Sequence, residues 1–222
     1  MDELSVTELS RLYRKHDAVI TAVDRLNFRF KSGEMTVIHG SSGSGKSTLL
    51  LMLGGMMRPT SGTVKFNGED LYAMSGSARR MFRNLKVGFV FQKFHLLPYL
   101  TVRQNILLPL HLPGAVSLRK DRLDGLLERF KLADRLHHRP EELSVGEQQR
   151  VALMRTLIKD PALILADEPT GNLDPDNLAV VAQALHDEAN AGRIVILVTH
   201  NTPLFSIGDC ELHLNHGRFS QS

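Results

Sequence analysis

The sequence predicts an α/β fold in which helices pack on a mostly parallel sheet, and three observations support this prediction. In the second half of the chain, short apolar runs alternate with helix-like segments, which is typical of parallel sheets. A glycine-rich loop at 40–48 lies between an apolar run and an apolar helix-like segment. A further apolar run ends in Asp167 and Glu168, and parallel sheets place their ligands at such strand ends.

Hydrophobic periodicity places the predicted elements in order. Alternation of apolar and polar residues at 26–31 predicts a strand with one buried face. The Asn67-Gly68 pair predicts a tight turn after the strand that precedes it. From Thr101 to Phe130, including Leu118, the apolar residues recur at helical spacing, with a break at 113–114. The predicted strands are 26–31, 35–38, 62–66, 87–91, 162–166, 194–198 and 211–214, and the later helices are 146–159 and 175–191.

Composition is that of a compact globular protein. The 222 residues are 42% hydrophobic and 23% charged, enough for a substantial core. The net charge of +3 is not clustered along one face, and the basic residues at 79–86 are interpreted as a solvated helix face, so we expect no nucleic-acid partner. A lone cysteine, Cys210, excludes an internal disulfide and suits a reducing compartment. We expect neither a secretory signal nor a membrane-spanning helix, since no run approaches ~20 apolar residues.

The glycine-rich loop at 40–48 has the pattern G-x-x-x-x-G-K-[ST] and predicts a polyphosphate site. Its glycines let backbone N–H groups approach the phosphates, and the helix that follows directs its positive dipole end there. The pattern assigns the β- and γ-phosphates to Lys46 and a Mg²⁺ ligand to the Ser47 hydroxyl. The predicted nucleotide contacts are Gly40, Ser41, Ser42, Gly43, Ser44, Gly45, Lys46, Ser47 and Thr48.

The two carboxylates after the 162–166 strand have distinct expected roles. Asp167 can hold Mg²⁺ through water, and Glu168 can polarise the attacking water. Taken alone, the pair could equally be an acidic turn without catalytic function.

The segment Leu143-Ser144-Val145-Gly146-Glu147 resembles the L-S-G-G-Q signature of ABC-type ATPases, and the resemblance covers nearly the whole chain. Val145 replaces the usual Gly and adds bulk that restricts the backbone. Glu147 replaces the usual Gln. Ser144 and the Gly146 N–H group, at a helix N-terminus, are expected to bind a γ-phosphate.

The same resemblance implies roles for four more residues. Gln92 corresponds to a glutamine that senses both Mg²⁺ and the attacking water, and His200 to a switch histidine that contacts the γ-phosphate. Asp174 corresponds to the aspartate that bonds across a dimer interface, although capping the helix that starts at Pro175 is an alternative. Tyr13 corresponds to the aromatic residue that stacks on adenine, although it could instead pack within the β-rich region.

The resemblance implies a P-loop NTPase (RecA-like) core with an antiparallel β-subdomain and a helical subdomain at roughly 93–150, all within one ABC-type nucleotide-binding domain at 1–222. It also implies an ATPase that closes as a head-to-tail homodimer around two Mg-ATP. The expected membrane partner is an integral permease, which would hold the chain at the cytoplasmic face of the inner membrane. The stretches at 89–105 and 166–174 further resemble the LolD/MacB/FtsE group, which serves lipoprotein release, macrolide or peptide export, and cell-division signalling.

Other interpretations remain open from the residues. An ABC-type ATPase acting on DNA or ribosomes would carry inserts that this sequence lacks, and a scaffold that binds ATP without hydrolysing it would suit the altered signature. The apolar segment at 94–100 is expected to contact the permease or to form the core of the helical subdomain. Cys210, His213 and His216 have ligand types that suit Zn²⁺, although they are better explained as part of a surface strand and turn.

Overall fold

The computed structural model describes residues 1–15, 18–114, 117, 120–170 and 174–220. Within these residues the strands are β1 (Glu3–Lys15), β2 (Ala18–Lys31), β3 (Met35–His39), β4 (Ser61–Phe66), β5 (Glu69–Asp70), β6 (Val87–Val90), β7 (Leu163–Asp167), β8 (Ile194–Thr199), β9 (Cys210–Asn215) and β10 (Arg218–Ser220). The α-helices are α1 (Lys46–Leu53), α2 (Gly76–Lys86), α3 (Val102–Leu107), α4 (Lys120–Phe130), α5 (Val145–Leu157) and α6 (Pro175–Asn190). Short 3₁₀ helices lie at Leu108–His111, Ala133–Arg135, Pro140–Glu142 and Thr202–Ile207.

A six-stranded sheet forms the centre of the fold and confirms the predicted parallel α/β core. Its strand order is β10-β9-β3-β8-β7-β6, and all neighbours are parallel except β9 and β10. All six residues of β8 are buried, which is typical of a parallel strand that is covered on both faces.

The hydrophobic core lies on both faces of this sheet, because successive residues of a strand point to opposite sides. On one face Ile164 and Val195 pack with apolar residues of α3, α4, α5 and α6. On the other face Leu165 and Ile196 pack with α1 and with the second sheet.

The second sheet is antiparallel, with the order β2-β1-β4-β5. The predicted turn after β4 is present, and Asn67 and Gly68 both have positive φ, as a type I′ hairpin requires. Strand β1 was not predicted as a separate element, although it pairs with both β2 and β4. The two sheets meet where the Asp24 N–H donates to the Gly217 carbonyl at 2.8 Å. This junction brings β2 against the glycine-rich loop.

Two sequence predictions in the helical part of the chain need correction. The pattern from Thr101 to Phe130 is divided between α3 and α4, and Leu118 lies outside the described residues. The basic face of α2 is only partly solvated, because Arg79 donates to the Met74 carbonyl and Arg83 to the Gly55 carbonyl. Guanidinium groups on long apolar stems can cover a protein surface in this way.

No described helix is long and apolar enough to cross a bilayer.

Candidate nucleotide-binding site

Four parallel strands end side by side and bring the predicted catalytic groups together. In the sheet, β3 leads into the glycine-rich loop, β8 into His200, β7 into Glu168 and β6 towards Gln92. The register pairs His39 with Thr199 and Asp167 with Val198, so that these carboxyl ends lie at one level. Segments that are distant in sequence therefore meet at a single edge, as parallel sheets require.

The glycine-rich loop wraps around the start of α1. Gly45 has φ 106°, and a Cβ there would lie 1.9 Å from the Ala22 carbonyl oxygen. Only glycine fits this position, because both the backbone conformation and the close approach exclude a side chain. The Lys46 side chain is folded into the loop, where its Nζ donates to the carbonyl oxygens of Gly40 at 2.7 Å and Ser41 at 3.0 Å.

Asp167 faces the first turn of α1. Its Oδ1 accepts a hydrogen bond from the Ser47 hydroxyl at 3.1 Å. Burial raises the pKa of the Asp167 carboxyl, an effect that the Ser47 hydrogen bond opposes and the neighbouring Glu168 carboxylate reinforces. The two residues place a hydroxyl and a carboxylate oxygen together, which are donors that Mg²⁺ prefers.

Glu168 is held in an uncommon conformation against His200. Its φ is 48°, in the left-handed region that non-glycine residues occupy at a cost. The Glu168 side chain is 9% exposed, whereas that of His200 is 64% exposed. Its Oε1 lies 2.7 Å from His200 Nδ1, and its Oε2 accepts from the His200 backbone N–H at 3.2 Å. This arrangement directs a carboxylate from a buried position into the site.

An open cavity of about 440 Å³ lies over these groups. We call the residues around it the cavity half of the site. The predicted site residues that line it are Ser42, Gly43, Gly45, Lys46, Ser47, Thr48, Gln92, Glu168 and His200. Ser44 is buried in the same loop, the carbonyl oxygens of Gly40 and Ser41 accept from Lys46, and Asp167 joins the group through Ser47.

The predicted signature residues do not line this cavity. Ser144 caps α5, where its hydroxyl oxygen accepts from the Glu147 N–H at 3.3 Å and its own N–H donates to Glu147 Oε2 at 2.8 Å. Because the Ser144 oxygen serves as an acceptor in this capping box, its hydroxyl proton remains able to donate to a ligand. We call Ser144, Gly146 and Asp174 the signature half of the site.

The two substituted signature positions have different surroundings. Val145 is 49% exposed at the first turn of α5. Glu147 Oε1 accepts from Arg135 Nε at 3.0 Å. The Ser144 N–H and then Arg135 hold the pKa of the Glu147 carboxyl below its usual range, so that the acid stays ionised and paired.

Asp174 caps α6, as the alternative interpretation of this residue predicts. Its Oδ1 accepts from the Asn177 N–H at 2.9 Å, and this bond is the main reason that the pKa of the Asp174 carboxyl is lowered. The preceding residues Gly171, Asn172 and Leu173 lie outside the described residues.

Tyr13 does not line the cavity either. The Arg11 guanidinium lies 4.8 Å from the centre of its ring, and its hydroxyl lies 3.1 Å from the Met57 sulfur. An adenine-stacking role for Tyr13 therefore stays a prediction.

The structure adds one residue to the cavity lining that sequence reasoning missed, and it shows a stacked histidine next to the loop. Ala22 of β2 lines the cavity, and no property of an alanine side chain could have signalled this. His39 ends β3 beside the loop, where its ring stacks between Phe205 at 4.3 Å and His213 at 4.8 Å. Burial lowers the pKa of His39, against the opposing effect of Glu211.

The Cys210, His213 and His216 alternative meets a geometric difficulty. Cys210 and His213 are three residues apart on β9, so that they point to opposite faces of the strand. In the part of the chain that the structure describes, no group of three His, Cys, Asp or Glu side chains is arranged to hold a metal ion.

These features together define a P-loop nucleotide hydrolase. They are a parallel sheet with a glycine-rich phosphate loop, a hydroxyl paired with a carboxylate, and a carboxylate paired with a histidine. The comparisons with known proteins agree. The ABC transporter family matches residues 23–171, more than half of the chain. The chain therefore belongs to the ABC transporter ATP-binding family, and it is an ATPase.

Two curated relatives cover nearly the full length. An ABC transporter ATP-binding protein of Thermotoga maritima is 41% identical over 97% of this chain and 92% of its own length. The lipoprotein-releasing system ATP-binding protein LolD of Geobacter metallireducens is 42% identical over 97% of this chain and 96% of its own length.

The fold is similar to that of the bacterial ABC transporter cassette MJ0796, which has been solved as a dimer. The TM-score is 0.90 at 32% identity, covering 98% of this chain and 97% of the other. A post-hydrolysis dimer of that cassette with bound ADP and phosphate aligns with a TM-score of 0.89 at 33% identity over the same shares.

Proposed function

We propose that this chain is the ATP-hydrolysing subunit of a transporter of the lipoprotein-release type, which works as a head-to-tail homodimer on a separate membrane permease. The observation that carries the proposal is the separation of the two halves of the site within one chain. The cavity half lies at the sheet edge, whereas Ser144 and Gly146 begin α5 outside the cavity. A second copy that presents its α5 to this cavity would complete the site.

In this proposal the glycine-rich loop and α1 hold the phosphates of ATP. Backbone N–H groups and the helix dipole favour the negative charge there. Lys46 exchanges the carbonyl oxygens of Gly40 and Ser41 for phosphate oxygens, which are stronger acceptors because they are charged.

The residues at the start of α1 fit Mg²⁺. Ser47 and Asp167 are 3.1 Å apart and Gln92 lines the same cavity, so that a hydroxyl, a carboxylate and an amide oxygen are available. Ser47 and Gln92 would hold the ion directly, and Asp167 through water. When bound, the ion neutralises charge on the β- and γ-phosphates.

Glu168 and His200 supply the catalytic pair. Glu168 accepts the proton of the attacking water, and the two contacts from His200 orient its carboxylate. The other ring nitrogen of His200, Nε2, is then available as a hydrogen-bond donor to a γ-phosphate oxygen. The pair therefore combines a base for water with a hydrogen-bond donor for the phosphate.

The signature half binds the γ-phosphate held by the other protomer. Ser144 donates its hydroxyl proton, and the N-terminal turn of α5 adds backbone N–H groups and a positive dipole end. ATP thus makes contacts across the dimer that ADP lacks, and this difference in binding free energy favours the closed dimer.

The surface segment at 94–100 supports a permease contact. Tyr99 is 70% exposed, whereas Leu96 packs against the core on the helical side of the sheet. Asn105 holds the segment in place, since its Oδ1 accepts from the Leu97 N–H at 2.8 Å.

A Tyr99→Glu variant should keep the ATPase rate of the isolated protein and lose transport with the permease. Unchanged transport would show that Tyr99 is not part of the interface. Attachment through this surface would hold the chain at the cytoplasmic face of the inner membrane.

The central test uses Glu168→Gln, which keeps the shape of the side chain but removes the base. With Mg-ATP it should dimerise in size-exclusion chromatography with light scattering, remain a monomer with Mg-ADP, and turn over about 100-fold more slowly than the native protein. Glu69→Gln on the exposed strand β5 is the matched control. A native turnover rate in Glu168→Gln would disprove the catalytic assignment, and a monomer in Mg-ATP would disprove the sandwich.

Release of a lipoprotein from vesicles that contain the permease then tests the transport class. ATP hydrolysis that the permease stimulates without moving any lipoprotein would instead favour an FtsE-like subunit that signals across the membrane.

A further inference from the structure

One polar side chain, that of Asn177, joins the start of α5 to the start of α6. Asn177 is in the first turn of α6, three residues after the cap Asp174. Its amide lies directly over Gly146 in the first turn of α5, because a Cβ placed on Gly146 would lie 2.6 Å from the Asn177 Cγ. Any residue other than glycine at 146 would therefore displace Asn177.

The Asn177 side-chain amide makes one hydrogen bond to Arg150 on α5 and one to Asp174 at the start of α6. Its Nδ2 donates to Asp174 Oδ2 at 2.7 Å, and its Oδ1 accepts from an Arg150 guanidinium N–H. The carboxylate can only accept and the guanidinium can only donate, so that this is the one orientation of the amide that satisfies both neighbours. Arg150 lies one turn beyond Gly146 on α5.

We propose that Asn177 is a positioning residue that couples the signature turn of α5 to Asp174 within each protomer, so that ATP bound by Ser144 and Gly146 also orders the Asp174 side of the dimer interface. This inference rests on the proposed function, since it needs an ATP-dependent dimer.

The contacts of Asn177 explain how a movement of α5 would reach Asp174. Both Asp174 oxygens are engaged by Asn177, one by its N–H and one by its amide. The position of the amide is set in turn by Gly146 and Arg150, which move together on one rigid helix. A shift of α5 towards a bound phosphate therefore carries Asn177 and reorients the Asp174 carboxylate.

Helix capping and coupling are carried by different atoms of Asn177. The cap uses the backbone N–H, which any residue except proline provides. The link to α5 uses only the side-chain amide. An Asn177→Ala substitution therefore removes the link and leaves the cap of α6 in place.

The experiment compares two double variants in the Glu168→Gln background, Asn177→Ala and the control Gln183→Ala. Gln183 lies further along α6, where its amide donates to Asp187. The dimer dissociation constant is measured by light scattering in Mg-ATP, and the affinity of the monomer for Mg-ADP by fluorescence titration. Asn177→Ala should weaken the dimer about five- to tenfold, at the lower end of typical coupling free energies between linked sites, while Mg-ADP affinity stays at the parent value. Gln183→Ala should match the parent in both measurements.

Each outcome decides between the inference and the function on which it rests. If the Glu168→Gln parent stays a monomer in Mg-ATP, the proposed function fails before Asn177 is tested. If the parent dimerises and Asn177→Ala dimerises equally well, the coupling role is overturned. A parallel loss of Mg-ADP affinity would also overturn it, because that loss would mark a general structural defect.

Two further variants keep the test decisive if Asn177→Ala folds poorly. Asn177→Ser is compatible with the first turn of a helix, yet its hydroxyl is too short to bridge Arg150 and Asp174, so it should weaken the dimer as alanine does. Arg150→Ala should weaken the dimer to a similar extent, and adding Asn177→Ala to it should cause little further loss, because both remove the same link. Additive losses would contradict a single coupling path.

Discussion

The cavity half and the signature half of this ATPase differ in how completely one chain builds them. In the cavity half, groups that follow β3, β7 and β8 already contact one another, as the Ser47–Asp167 and Glu168–His200 distances show. In the signature half, Ser144 caps its helix and Asp174 caps another, and neither lines the cavity. In the proposed function, the catalytic groups are thus preorganised within the protomer, whereas the signature contact to the γ-phosphate is supplied by the surface of a second copy.

The two halves differ because different secondary-structure elements hold their residues. Residues at the ends of buried parallel strands are fixed by the sheet, and an active site gains from such rigidity. A helix start at the protein surface holds its N–H groups and its dipole ready for an anion, but it needs a second molecule to supply that anion. We therefore expect changes in the cavity half to impair nucleotide binding or the hydrolytic step, and changes in the signature half to impair only the closed dimer.

Lys46→Ala should have the largest effect, because it should reduce both nucleotide affinity and turnover, whereas the variants below spare nucleotide binding. Loss of the Lys46 ammonium removes charge-assisted hydrogen bonds to phosphate, so that the affinity for Mg-ATP and Mg-ADP should fall about 10- to 100-fold and turnover should fall with it. Isothermal titration measures the affinity, with Lys65→Ala on the exposed side of β4 as the control. Unchanged affinity would mean that the cavity is not the nucleotide site.

Ser144→Asp should distinguish the function of the signature half from that of the cavity half. Aspartate caps helices as well as serine does, so α5 should start as before, but its charge would repel the γ-phosphate. Turnover and ATP-dependent dimerisation should fall about 100-fold, while the monomer binds Mg-ADP normally.

Ser144→Asn supplies the neutral control, because it caps the helix without adding charge. Equal turnover in Ser144→Asp and the native protein would show that α5 does not meet a phosphate. Loss of Mg-ADP binding in Ser144→Asp would show that the two halves are not separate.

Arg135→Ala should have a smaller effect at the edge of the signature half. Arg135 is 45% exposed and pairs with Glu147 at 3.0 Å, and exposed pairs contribute about 0.2–1 kcal/mol. Without Arg135 the pKa of Glu147 should rise, and turnover should fall about threefold because an unpaired acid then lies next to Ser144.

Combining Glu147→Gln with Arg135→Ala should return turnover to the level of Glu147→Gln alone, which steady-state assays of the three variants would measure. A further loss in the double variant would assign Arg135 some role besides pairing with Glu147.

Lys159→Met should have the smallest effect on activity, because it lies beyond the far end of α5. Burial lowers the pKa of Lys159 to about 8, and its Nζ donates to the carbonyl oxygens of Arg83 and Asn84 at 3.2 Å. Between this pKa and the ordinary lysine value the unfolded chain binds more protons than the folded one, so that the free energy of unfolding rises with pH in that window. Below about pH 8 the cost of burying the charge is present in full.

The difference in unfolding free energy between native protein and Lys159→Met should therefore shift by about 3 kcal/mol, in favour of the native protein, from pH 7 to pH 10.5. Urea denaturation at several pH values measures the shift. Equal pH profiles would show that Lys159 is not buried as a cation. A turnover rate at pH 7 below half the native value would contradict the separation between the two ends of α5.

Much of the cavity half was predictable because its chemistry is local in sequence. The spacing of Gly40, Gly45 and Lys46 defines a loop by itself, and Asp167 with Glu168 ends a recognisable apolar strand. The strands themselves were predictable from short apolar runs, since strands buried on both faces contain few polar residues. The catalytic roles of these residues stay predictions until the variants are measured.

Contacts between distant segments were not predictable in the same way. Ala22 lines the cavity only because β2 lies against Gly45, and an alanine carries no chemical signal. The basic helix α2 was expected to be solvated, yet the Arg83 side chain reaches the Gly55 carbonyl, which sequence periodicity does not reveal. The adenine-stacking role of Tyr13 stays a prediction, and the contact of its ring with Arg11 is seen only in the structure.

The sequence by itself determined the α/β class, the phosphate loop, the strand that carries Asp167 and Glu168, and membership of the ABC family, because each depends on residues within a short window. Tertiary structure alone decided that His200 meets Glu168, that Ser47 meets Asp167, and that Asn177 bridges α5 and α6. These contacts arise from strand order and helix packing, which bring together residues 27 to 120 positions apart. The spacing of residues along the chain does not predict these contacts, because they depend on how the whole core packs.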